Sequence, residues 1–388
     1  MSSLVIDRPT ADDRRQFFVE DCEPVRVELR QHFQRLREVL ESRPLAAGNI
    51  RSIVLGGSYG RGEGGLLLRP DGSRSLYNDL DYFAFCHRKG DPATDEVLRE
   101  IEKRESHRLG IDVEFTCLTE SDLGTEPSTS MMFYDLISGY EVIWGVDFLR
   151  KFAGSIDATR ISREEATRLL WNRASGLYFA RCAIELGRDV SFIQRNHQKC
   201  ALALGDAILA TRGQYTSSVD ERLNRFKNLA ASDPWIELLL PAYEDAVNFK
   251  KRPHINVMSW EMMLAENDAL VDRWQSVFLE LEASRLGCQF ESLTAYANQP
   301  GRIFPRIPRW KALGIAFRDS LFHGACLRPI FDYPRGALIR ALCHLLSHDS
   351  ESSTALLKLI PGLRVYPDDP PSPHDWQPAY EDWWRRYS

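Results

Sequence analysis

The chain has 388 residues, 44% of them hydrophobic and 27% charged, with a formal net charge of −6. That apolar content supports a large core, divided into two domains or built as one domain with a large extension. The acidic balance excludes a chain-wide basic surface for nucleic acid. No apolar window of about 18 residues appears, so neither a membrane span nor a membrane partner is expected. The opening residues MSSLVIDRPTADDRRQF carry no apolar run behind a basic start, and no signal peptide is expected. Eight cysteines are scattered without a CxxC pair, which reads as reduced thiols of a cytoplasmic protein.

Residues 11–43 place Phe17, Phe18, Val25, Val27, Leu29, Phe33, Leu36 and Leu40 at helical spacing, predicting a helix with a buried stripe. IRSIVLGG (50–57) reads as a strand ending in glycine. LLLRPDGSRSLY (66–77) holds a Pro-Asp-Gly turn between apolar runs, a hairpin or extended loop. DLDYFAFC (79–86) and IDVEFTCL (111–118) read as strands around a charged helix at 93–108. A helix near 131–138 and a short strand at 140–145 follow. Beyond residue 160 helical patterns dominate: 162–187, 192–212, 217–231, 235–250 and 260–286, then 310–321, 335–348 and 375–386. The expected architecture is α+β: a mixed-sheet domain over 1–155, then a mainly α-helical domain over 156–388 with an aromatic tail.

The chemistry concentrates between residues 56 and 115. GGSYGRGEGG (56–65) spends six glycines in ten residues, which frees backbone N–H groups for close approach by a phosphate. Side chains two apart on a strand share a face, so Asp79 stands beside Asp81, and Asp112 beside Glu114. If the two strands are neighbours, three or four carboxylates meet on one patch. They would repel one another unless a divalent cation sat among them. Oxygen-only donors favour Mg²⁺ or Mn²⁺ over zinc, and a pair of such ions suits in-line displacement at phosphorus.

GGS, then DLD, then an acid on a following strand resembles the nucleotidyltransferase superfamily typified by DNA polymerase beta, including its aminoglycoside-modifying members. The resemblance implies a palm-like mixed sheet followed by helices, a nucleoside triphosphate donor and two Mg²⁺ ions. By position, Gly57 and Ser58 match the phosphate-binding turn, and Asp79 and Asp81 the first two metal ligands. The third acid, which also helps activate the acceptor hydroxyl, is Asp112 or Glu114, with Asp112 favoured for its place early in the strand. Twenty residues separate Ser58 from Asp79, a longer gap than the family's usual one. An inserted hairpin at 66–77 would account for the excess.

Several residues outside this constellation have two readings. Arg61 either reaches the triphosphate or is a surface charge beside Glu63. On the helix RNHQKCALALGDAILATRGQY (195–215), Lys199 matches a phosphate-contacting lysine of the superfamily or is a solvent lysine, with Arg195 and Asp206 near it on the helix. Tyr215 either stacks on a base or packs. His344 and His348, four apart, have zinc-ligand spacing but no third ligand, which favours ordinary histidines. Trp383 and Trp384 either stack nucleobases or dock the tail. The expected activity is transfer of a nucleoside monophosphate to a hydroxyl of a small molecule or protein, with nucleic acid the less favoured acceptor. The alternatives are a non-catalytic, antitoxin-like scaffold, or an RNA-tailing or cyclic-nucleotide enzyme with Arg69, Arg74, Arg88 and Lys89 lining a basic groove.

Overall fold

A computed structural model of the chain describes residues 16–69, 71–124, 127–323, 333–347, 356, 359 and 373–387. It is an α+β protein whose main sheet is small, mixed and open. The chain divides into two compact units: residues 1–162 with 212–254, and residues 163–211 with 255–388. The segment 212–254, which by sequence belongs to the helical half, therefore clusters with the sheet.

In the first unit, helix α1 (Glu23–Glu41) precedes α2 (Pro44–Asn49) and strand β1 (Ile50–Leu55). A single helical turn, α3 (Gly57–Gly60), leads to the hairpin β2 (Leu66–Leu68) and β3 (Arg74–Leu76). Strand β4 (Leu80–Cys86), helix α4 (Pro92–Leu109), β5 (Val113–Leu118), α5 (Met131–Ser138) and β6 (Glu141–Gly145) complete the α+β part. The sheet order is β5-β4-β1-β6, with β4 and β5 parallel and β1 antiparallel to both β4 and β6. The hairpin pairs Leu66 with Leu76 in its own two-stranded sheet, between Ser58 and Asp79.

The N-terminal helix starts at Glu23, later than its periodicity suggests. The residue before a proline is biased away from helix, and Pro24 fixes the first turn. Phe17 and Phe18 precede the helix and pair with the glycine turn instead: Gly64 N donates to Phe17 O, and Val19 N to Gly64 O. Val25, Leu29, Phe33, Leu36 and Leu40 are buried as the stripe predicts, whereas Val27 is exposed.

The two faces of the sheet carry separate cores. One packs α1 and α4 over Ile53, Leu80, Tyr82, Ala84 and Val113. The other gathers Val54, Phe83, Phe85, Leu118, Phe133 and Leu136. The first core encloses a polar cluster. The His32 ring lies 3.0 Å from Glu105 and 2.9 Å from the Tyr82 hydroxyl, and Arg35 and Arg104 also donate to Glu105. Burial alone would raise the Glu105 carboxyl, but these donors outweigh it and hold it down at about 2.

The remaining helices of the first unit are α8 (Val219–Ala230), α9 (Pro234–Glu237) and α10 (Leu240–Lys251). The second unit is helical: α6 (Arg163–Glu185), α7 (Val190–Thr211), α11 (Trp260–Leu286), α12 (Leu293–Asn298), α13 (Arg309–His323), α14 (Pro334–Leu346) and α15 (Pro373–Tyr387). The aromatic tail is α15, and it docks. Tyr380 accepts from the Trp171 indole, Trp383 is buried, and Trp384 packs edge-on against Phe179. None of the seven described cysteines is in a disulfide, and Cys326 lies outside the described residues. Among the described residues no helix is long and apolar enough to cross a membrane.

Because its folded pKa is depressed, Glu105 contributes its full stability above the ordinary value of 4.5, and that contribution is lost as pH falls toward about 2. Denaturant unfolding across this window is expected to show falling stability. Glu105→Ala should remove most of that dependence and cost on the order of 3 kcal/mol at neutral pH, since it strands a buried histidine and two arginines.

Candidate functional site

The carboxylates predicted to act together lie on adjacent strands. In the parallel β4–β5 pair Leu80 stands across from Val113 and Asp81 across from Glu114. Asp79 and Asp112 each immediately precede their strand, and Leu80 N donates to Asp112 O at 2.9 Å. Leu80 and Val113 belong to the core under α1 and α4, so the alternation of the strands turns Asp81 and Glu114 to the opposite face. Glu114 and Asp112 are both exposed, and Asp79 and Asp81 are half-buried. Of the two candidates for a third acid, Glu114 is the cross-strand partner of Asp81, while Asp112 lies one residue before β5.

The glycine turn lies against this corner. β1 runs antiparallel to β4, with Leu55 opposite Tyr82, and Gly56 N donates to Asp81 O at 2.8 Å. Gly57 has φ +59°, and a Cβ built on it would lie 2.1 Å from Asp81 Oδ2. Glycine is thus demanded twice, by the left-handed backbone and by the carboxylate in the space a side chain would fill. The N–H groups of Gly60, Arg61, Gly62 and Glu63 are committed to carbonyls of the same turn. Those of Gly57, Ser58 and Tyr59 find no acceptor among the described residues.

Tyr59 holds the corner together, and the sequence reading gave it no role. Its ring is fully buried, stands edge-on to Phe18, and fills the space a Cβ on Gly64 would need, 2.1 Å away. Its hydroxyl donates to Gly65 O and accepts from Tyr77 N and Asn78 N, which fixes the backbone entering Asp79. Burial pushes this hydroxyl up to about 12, and the Asp79 and Asp81 carboxylates add to the rise. The signal was a large aromatic residue amid glycines, in a segment read only as a phosphate-binding turn.

Arg61 is only 10% exposed, with ion-pair distances of 3.5 Å to Asp135 and 3.8 Å to Glu63. It is therefore not a free surface charge. Asp135 also accepts from the Tyr215 hydroxyl, which accepts in turn from Arg222, and Glu63 accepts from Val219 N at 2.8 Å. This network joins the glycine turn to α5 and α8, and in it Tyr215 is a buried packing residue. Lys199 is half-buried on α7 in the second unit, with Arg195 also half-buried and Asp206 buried on the same helix. Of the residues proposed to line a basic groove, Arg74, Arg88 and Lys89 pair with Glu20, Asp91 and Asp122, while Arg69 donates to Ser75. His344 is buried on α14, and His348 lies outside the described residues.

The donor chemistry at the corner fits a hard divalent cation. Asp79, Asp81, Asp112 and Glu114 supply oxygen alone, and no imidazole or thiolate is among them. The carboxylates are spread along two strands: among the described residues no three His, Cys, Asp or Glu side chains are gathered closely enough to grip one ion. No protein-family model, curated protein or solved structure matches this chain.

Two substitutions test the corner. Gly57→Ala forces a left-handed backbone on a side chain and drives its methyl into Asp81; a loss of at least 1–2 kcal/mol is expected in denaturant unfolding. Tyr59→Phe keeps the ring but takes the hydroxyl partner from the Tyr77 and Asn78 N–H groups and from the Gly65 carbonyl. It should cost about 1–3 kcal/mol and speed amide exchange at Tyr77 and Asn78.

Proposed function

We propose that the protein is a nucleotidyltransferase that moves a nucleoside monophosphate from a nucleoside triphosphate to the hydroxyl of a small molecule or a protein. The observation that carries the reading is the register placing Asp81 across from Glu114, with the side-chain-free backbone of Gly57 against the Asp81 carboxylate. An acidic edge and a bare backbone edge meet there, as a metal-bridged triphosphate requires. The uncommitted N–H groups of Gly57, Ser58 and Tyr59 suit phosphate oxygens, and the Ser58 hydroxyl stands in the same turn.

In this reading Asp79, Asp81 and Glu114, with Asp112 beside them, would hold Mg²⁺ or Mn²⁺ by drawing together from their present spread along the two strands. Bound ions of this kind neutralise the triphosphate and ease deprotonation of the acceptor. The turn at 57–59 binds the phosphates and orients the α-phosphorus. Glu114, the most exposed side of the acidic edge together with Asp112, takes the proton of the acceptor hydroxyl. The acceptor oxygen bonds to the α-phosphorus, the bond from that phosphorus to the bridging oxygen breaks, and pyrophosphate leaves with the electron pair. Positioning and charge neutralisation supply most of the rate.

Pyrophosphate release is the measurement that tests this, with each labelled triphosphate, Mg²⁺ or Mn²⁺, and panels of hydroxyl acceptors. Asp79→Ala/Asp81→Ala is expected to abolish release, and Glu114→Gln to lower kcat by about a hundredfold or more. Equal release by wild type and the double variant would refute the mechanism. Absence of triphosphate binding by calorimetry would favour a scaffold that does no chemistry.

A further inference from the structure

Among the described residues, helix α13 is packed on one side only. Ala312 and Asp319 are buried, and Asp319 accepts from the Tyr387 hydroxyl of α15 and from the Arg318 guanidinium. On the other side Trp310, Leu313, Phe317 and Leu321 are 74%, 41%, 68% and 65% exposed. Their spacing of three, four and four residues places them on one stripe of the helix. Gly314 lies on the same face, and a Cβ there would have nothing within 4 Å.

The charges on α13 follow the same pattern. At 100° per residue Arg309 lies along one edge of the stripe, and Lys311 and Arg318 along the other. All three are exposed. Asp319 is the acid of this helix, and it is turned inward. The outward surface is therefore a band of large apolar groups between two cationic edges.

We propose that α13 docks on an anionic bilayer surface. A planar, negatively charged interface meets the apolar band and both cationic edges at once: Trp310, Phe317 and Leu321 enter the headgroup boundary while Arg309 and Lys311, one on each edge, stay at phosphate level. A protein groove that encircles a helix has no such access, because the opposite face of α13 is already occupied by its own unit. The apolar and electrostatic contributions act together, as reversible surface attachment requires. The helix lies on the membrane and does not cross it, which accords with the lack of any spanning helix among the described residues.

Flotation of the full chain with vesicles tests the proposal. Binding is expected to vesicles of phosphatidylserine and phosphatidylcholine in equal parts, to weaken with salt, and to be absent with phosphatidylcholine alone. Phe317→Ala/Leu321→Ala should lower the partition coefficient at least tenfold. Arg309→Glu/Lys311→Glu, which leaves the apolar band intact, should lower it by a similar factor. The four side chains are exposed, so unchanged circular dichroism is expected in both variants. Failure of the wild type to float with anionic vesicles, flotation that ignores lipid charge, or undiminished binding by both variants would overturn the assignment. Self-association abolished by Phe317→Ala/Leu321→Ala, with no vesicle binding, would give the face to a second copy of the chain instead.

Discussion

The candidate site depends on one close approach. Between β1 and β4 the Gly57 backbone and the Asp81 carboxylate occupy adjoining space with room for a hydrogen atom and nothing larger. That approach is enforced from both sides. Antiparallel pairing brings the end of β1 to the start of β4, and the Gly56 N–H to Asp81 O bond closes the pair where the turn begins. The Tyr59 hydroxyl then holds the chain on both flanks, through Gly65 after the turn and through Tyr77 and Asn78 before the aspartates. A segment rich in glycine is costly to order, and here one buried tyrosine supplies much of the ordering.

Charge is handled differently in the two polar clusters of the first unit. Glu105 is enclosed in the core and surrounded by donors from α1 and α4, so its charge is compensated and its task is to hold α1, α4 and β4 together. The acids of β4 and β5 stand at the edge of the opposite face, half-buried or exposed, on two strands whose pairing forbids them to separate. On the proposed reading, the N–H groups of Gly57, Ser58 and Tyr59 stand beside these acids at the phosphate side of the corner. Arg61 is drawn off to Asp135 and Glu63, where it braces the turn against α5 and α8.

The strands were legible from the apolar runs of β1 and β4, which are buried almost throughout, and from the alternation of β5, and the order of turn, DLD and IDVEF along the chain was enough to suggest one site. The hairpin at 66–76 was likewise legible from its Pro-Asp-Gly turn. Three things were not. Which acid stands across from Asp81 turns on strand register, which no local pattern encodes. The grouping of 212–254 with the sheet rests on contacts over long separations, Val219 with Glu63 and Tyr215 with Asp135. The stripe on α13 has the spacing of a core-facing helix, and periodicity states that a helix has an apolar face without stating what covers it.

By itself, then, the sequence determined the α+β class, the placement of the strands and which residues carry oxygen donors, because each depends on a side chain and its near neighbours. Only the tertiary structure decided that β4 and β5 run side by side in parallel, that Asp81 faces Glu114, that Tyr59 locks the turn, and that Trp310, Phe317 and Leu321 point outward. Those outcomes depend on which distant surfaces meet, and close packing selects one arrangement among many that the same local pattern allows.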